Sequence, residues 1–194
     1  MIKANNRSNK QHRKITRWIL IILFLTFASA ALLSFISETI LKSVNLIIAF
    51  ILLIIIILIH LLFDLIGVAV TSCSEVPFIA MASKKIKGAS QALTLVKNVD
   101  KVSNICQDVI GDVTGILSGS IGATIILIIL LRRPNVSQIL LSILITSGIA
   151  AITVAGKAGV KNIALANKVT IISKTGLFIY FVTYIFRKKQ HKKN

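Results

Sequence analysis

Long apolar runs constrain this chain more than any other feature of it. Trp18 to Ile36, Leu46 to Thr71, Val113 to Leu131 and Ile139 to Ala155 each supply about the 17–20 apolar residues that a helix needs to cross roughly 30 Å of hydrocarbon. Inside a bilayer the backbone has no water to bond with, and a helix satisfies its own N–H and C=O groups within one segment. Hydrophobic residues make up 55% of the chain, charged residues 15%, and mean hydropathy is +0.87, a balance far from that of a soluble domain. The expected fold is an all-α integral membrane protein: about four transmembrane helices, a basic cytoplasmic amphipathic helix and a C-terminal juxtamembrane helix.

The positive charge sets the orientation. Six basic residues precede the first run, five lie between the second and third, four follow the fourth, and five close the chain from Arg187 onward. With a cytoplasmic N-terminus, all but Lys42, Arg132 and Arg133 of the 23 Lys and Arg residues fall inside, as the positive-inside rule requires. The same rule treats a fifth apolar stretch, Val169 to Phe186, as interfacial or partly inserted, because spanning would carry the basic tail outside; a re-entrant position stays open. Its Tyr180 and Tyr184 suit the headgroup level. The resulting division is a basic arm over 1–17, a first span and loop over 18–45, a membrane domain over 46–186 and a basic tail over 187–194.

The first run also reads as a signal peptide, with a basic start and the small residues Ala28-Ser29-Ala30. Its apolar character continues through Leu33 and Phe35 and favours an uncleaved anchor. The formal net charge of +17 suggests anionic lipid at the cytoplasmic face as a partner rather than nucleic acid, because no basic domain remains outside the apolar runs.

Between the second and third runs, Ile86, Ala89, Leu93, Val96, Val102 and Ile105 recur at helical spacing, with lysines largely elsewhere. The pattern is one amphipathic helix, or two broken near Asn98 to Asp100. Cys73 and Cys106 flank it without metal-site spacing, and a reducing compartment argues against a disulfide.

Only six acidic residues occur, and Asp64, Glu75, Asp108 and Asp112 lie in or beside apolar runs. An ionisable group at that depth is costly and points to an ion pathway or proton relay. Asp108 and Asp112 are four apart, on one helical face about one turn from each other. Two such carboxylates repel unless a cation or proton lies between them; alternatively they favour the positive end of a helix dipole. His60 and Asp64 make a second one-faced pair, which suits proton transfer or a coupling ion, or else a mutual hydrogen bond. Glu75 falls at the cytoplasmic mouth, attracting cations or pairing with Lys84 or Lys85. Gly111, Gly115 and Gly119 repeat every fourth residue, with Gly122 beyond, and read as a close helix contact rather than a pore lining.

Ser72-Cys73-Ser74-Glu75, then Gly88-Ala89, Ala92-Leu93, Asp100-Lys101 and Ile110-Gly111-Asp112, resemble in order the membrane domain of CNNM/CorC-type magnesium transporters. Gly156-Lys157-Ala158-Gly159-Val160-Lys161 resembles a weakened Gly-Glu-x-x-Pro-Lys motif of that family. The resemblance covers about residues 46–186 and implies a homodimer around a magnesium site, with sodium as a coupling ion. Family members usually add nucleotide-binding CBS domains, for which the chain to Asn194 has no room. On the matching positions the implied ligands are Ser72 and Asp112, joined by Asp108 on the spacing argument. Magnesium takes oxygen ligands and keeps several waters, so one or two carboxylates with hydroxyls suffice.

One departure is chemical: Lys157 stands where the family has Glu. An ammonium there would occupy the cation's place and pair with Asp108 or Asp112. Two functions are therefore expected as alternatives: divalent cation transport, magnesium first and cobalt a competitor for selectivity, or a non-transporting scaffold or modulator locked by Lys157. No phosphate-binding loop, His-Glu-x-x-His or Gly-x-Ser-x-Gly motif occurs, so enzyme activity is not expected.

Overall fold

The computed structural model describes residues 45–190, the last five as backbone only, and scattered helical positions between 20 and 31. Most of the expected first span, Trp18 to Ile36, lies outside the described residues. All described elements are helical: α1 (Leu46–Ser72), α2 (Val76–Ser83), α3 (Ala89–Lys97), α4 (Val99–Ser103), a π-helical turn (Asn104–Val109), α5 (Ile110–Arg132) and α6 (Gln138–Gln190). Three rods are long and apolar enough to cross a membrane: α1, the unbroken run Val99–Arg132, and α6 as far as Ile185.

These three rods pack side by side, and the sequence explains where each ends. The first is almost wholly aliphatic until Ser72; Cys73 to Glu75 turn the chain, and Pro77 occupies the first turn of α2, where its missing N–H costs nothing. Arg133 to Ser137, with Pro134, turn α5 into α6, and the Ser137 carbonyl accepts the Leu141 N–H at 3.1 Å. At that same end Arg132 donates to the Asn45 side chain at 3.2 Å.

Two apolar cores hold the bundle. Near the α5–α6 turn, Ala49, Leu53 and Ile57 of α1 interdigitate with Ile121 and Ile125 of α5, and Ile145 and Ile149 of α6 close over them. At the opposite end Ala69, Val70, Phe78, Ala92, Val96, Ala164 and Ile172 form the second core. That core ties α2 and α3 to α1 and α6.

α6 is two helices joined at a kink: Asn167, with φ −118 and ψ 22, is non-helical. The break falls two residues before the expected start of the C-terminal helix at Val169, while the helix of the expected fourth span runs on past Ala155 as far as the kink. One expectation is corrected. Gly88 does not sit inside the amphipathic helix. It precedes α3 at φ 82, a conformation natural to glycine, and Ile86 stays outside the helix and exposed. The break near Asn98 is present.

Close approach explains why glycine is needed here. A Cβ on Gly88 would come within 2.6 Å of the Leu177 backbone, and one on Gly176 within 2.6 Å of the Gly88 carbonyl oxygen. The basic segment is thus seated directly on the second half of α6.

Candidate functional site

His60 is the fifteenth of the 27 residues of α1, so about 20 Å of helix lies on each side of it. Its ring is buried against α5, with Nδ1 2.6 Å from the Thr114 hydroxyl and Cε1 facing Gly111. A methyl at position 111 would lie in ordinary contact with the ring, 3.7 Å from Cε1. Nε2 is enclosed and has no hydrogen-bond partner.

Beside His60 lies a cavity of about 270 Å³, lined on α1 by Ile57, on α5 by Gly115, Ser118 and Gly119, and on α6 by Thr146, Ile149, Ala150, Thr153 and Val154. Gly115 and Gly119, Thr146 and Ala150 are exposed, so the cavity opens sideways between α5 and α6. This divides the expected glycine stripe. Gly122 makes a close approach, a Cβ there coming within 2.7 Å of Ile149, and Gly111 faces the His60 ring at ordinary contact distance, while a Cβ on Gly115 or Gly119 would meet nothing within 4 Å.

Helical periodicity extends both walls toward the α2–α4 end. Asp112 and Asp108 continue the α5 face of Gly119 and Gly115, and both are exposed; Lys157 and Lys161 continue the α6 face of Thr153. Lys157, Asp64 and Asp112 are all within electrostatic reach of the His60 ring. Gly156, next to Lys157, packs on Leu61, which fixes the lysine near the His60 level. Among the described residues no Lys or Arg nitrogen lies within 4.0 Å of a carboxylate oxygen. The charges gather without forming a direct pair.

The sequence-derived candidates therefore fall into two groups. His60, Asp112 and Lys157 lie near one level, with Asp64 a turn further along α1 and Asp108 a turn before Asp112. Ser72 is twelve residues beyond His60 on α1, about 18 Å along the axis, and its hydroxyl donates to the Val68 carbonyl at 2.8 Å. Glu75 is exposed just before α2, where its carbonyl accepts the Phe78 and Ile79 N–H groups at 3.0 Å. Among the described residues no three or more His, Cys, Asp or Glu side chains converge as a metal-holding group.

Thr114 was missed by sequence reasoning. A threonine in an apolar helix gives no signal of its own, and its partner is 54 positions away. Only the i, i+4 spacing to Ser118 hinted that α5 has a polar face. No family model, curated protein or solved structure matches this chain.

Proposed function

We propose that this chain is an ion-translocating membrane module whose cargo is a divalent cation, magnesium first. The observation that carries this reading is the gathering of Asp64, Asp112 and Lys157 around His60, the middle residue of α1, between apolar helices long enough to cross a membrane. Ionisable groups at that depth are expensive and are retained for pathways and relays. Carriers commonly bind their substrate near the bilayer midplane. Asp64 and Asp112, with Asp108 a turn further, offer the hard oxygen ligands that magnesium prefers, and hydration supplies the remainder. Ser72 serves the entry route rather than the same coordination sphere. Anionic lipid around the basic α2–α4 end, a homodimer covering the exposed Asp108–Asp112 face, and sodium coupling all remain proposals drawn from charge pattern and resemblance.

A second reading has its own support. Lys157 shares the site with the two carboxylates, so its ammonium is a tethered substitute for the cation, and the chain would act as a scaffold or modulator. Magnesium flux into proteoliposomes separates the readings. Transport predicts flux in the unaltered protein that Asp112→Ala abolishes; the locked reading predicts silence that Lys157→Glu relieves. Silence in all three proteins would sink the transport reading.

A further inference from the structure

The cavity between α5 and α6 is shaped for an apolar occupant. Its three wall hydroxyls already donate to their own helices, Ser118 to the Thr114 carbonyl at 2.9 Å, Thr146 to Ser142 at 2.7 Å and Thr153 to Ile149 at 2.8 Å. His60 apart, the rest of the wall is glycine, alanine and aliphatic. Its volume of about 270 Å³ exceeds the roughly 150 Å³ at which an apolar protein cavity takes up benzene. It opens sideways, where a Cβ on Gly115 or Gly119 would meet nothing within 4 Å. Small residues of that kind let another helix approach closely in a bilayer.

The chain carries an occupant of the right shape. In the first apolar run Leu20, Phe24, Phe27 and Ala31 are helical and exposed, Phe24 at 71% and Phe27 at 70%, and their spacing puts them on one face. Only residues 37–44 separate that run from Asn45, the N-cap of α1. Two consecutive spans joined at one membrane face run antiparallel, so the first is antiparallel to α1 and parallel to α5. Fully extended, those eight residues reach about 27 Å, and neighbouring helices lie about 8–10 Å apart, so the opening between α5 and α6 is within range. Depth matches as well, because Ile36 closes the first run and Leu46 opens the next at the same hydrocarbon boundary. At 1.5 Å per residue, Phe27 and Phe24 lie about 14 and 18 Å below Ile36, while Thr146 lies about 12 Å from Gln138, Ile57 about 17 Å from Leu46 and Gly119 about 20 Å from Arg132.

We propose that the first span docks lengthwise in the groove between α5 and α6 and seats Phe24 and Phe27 in its cavity, so that the side opening faces the span instead of lipid. Lipid tails are as apolar as the helix, and the choice between them rests on fit. An aromatic side chain with two torsions fills a fixed void at small entropic cost, whereas an acyl chain has many torsions to immobilise. Tethering through residues 37–44 gives the span an effective concentration of about millimolar, an advantage that a second copy of the chain lacks. Beside one ring the void keeps room for a methyl on Gly119. The seat involves neither cation nor proton and stands apart from the transport reading.

The test uses the full chain in bilayers, with Cys73→Ser and Cys106→Ser. Oxidation should join Phe24→Cys to Gly119→Cys, and Phe27→Cys to Thr146→Cys, within one chain, read as a disulfide-linked peptide pair from protein of monomer mass. Phe24→Cys should not join Ile55→Cys, which is exposed on the side of α1 away from Leu53 and Ile57. Leu53→Cys with Ile121→Cys, packed in one core, is the positive control. Adding Gly119→Leu, which fills the cavity mouth, should remove the Phe27–Thr146 product. Joining only between two chains would give the groove to a second copy, and no joining at either groove pair while the control pair joins would give it to lipid. Joining to Ile55→Cys as readily as to Gly119→Cys would mean that the span has no fixed seat, and loss of the span, read by intact mass, would leave nothing to dock. Each of these four outcomes overturns the proposal.

Discussion

Glycine serves opposite purposes at different positions of this chain, and substitution separates them. Gly119 faces open space, so Gly119→Ala adds helix propensity with no clash and should stabilise the protein by up to about 1 kcal/mol. Gly176→Ala drives a methyl to 2.7 Å from the Ala92 backbone nitrogen and should cost about 1–3 kcal/mol, because backbone cannot yield as a side-chain end can. Unfolding in mixed detergent measures both; shifts in the same direction would contradict the packing described. Cys73, just past α1, tests another local environment. Burial pushes its thiol up and the Lys168 ammonium pulls it part of the way back. In a Cys106→Ser background, maleimide should label Cys73 slowly near neutral pH, faster as pH rises, and more slowly still after Lys168→Ala, since less thiolate is present. Faster labelling in that variant would place Lys168 elsewhere. At this scale the sequence disclosed which residues carry charge but not their partners: His60 has its helical neighbour Asp64 four positions on, yet bonds Thr114 on another rod. Spacing along one helix says nothing about which face of the next one arrives opposite.

The elements were partly legible for a simple reason: hydrophobic runs and lysine clusters are local, and helix continuity is not always. The break at Asn98 followed from polar residues interrupting the apolar repeat. The kink at Asn167 falls where a boundary was expected, but the continuation of helical angles beyond Ala155 did not follow, because Lys157 and Lys161 read as the end of the apolar run although nothing there prevents helical angles before Asn167. The π-helical turn over Asn104–Val109 also escaped notice; it arises where Gln107 lies against Gly67, within 2.6 Å of where a Cβ would be. Turns of this kind add a residue to a helix and recur at functional positions. Deleting exposed Ile105 should restore ordinary winding and rotate α4 by about 100° relative to α5. Val99 and Val102, which pack on the second core, would then face elsewhere. Loss of stability with helix content retained is the expected result by circular dichroism and thermal unfolding; an unchanged melting temperature would show that the extra residue carries no register.

Across the whole molecule, the charge pattern gives an orientation that single cysteines can read in a Cys73→Ser, Cys106→Ser background. An impermeant maleimide should reach Asn135→Cys, in the α5–α6 turn, from outside intact cells, and Lys85→Cys, before α3, only after the membrane is opened. The reverse pattern would invert the reading. Between the level of His60 and the Arg132–Asn45 end, Ala49, Leu53, Ile57, Ile121 and Ile125 meet as a continuous aliphatic layer. Across a bilayer such a layer would act as an electrical insulator: a charge carried past Ile57 and Ile121 would cross a large share of the membrane field, up to about 2.3 kcal/mol per elementary charge at 100 mV.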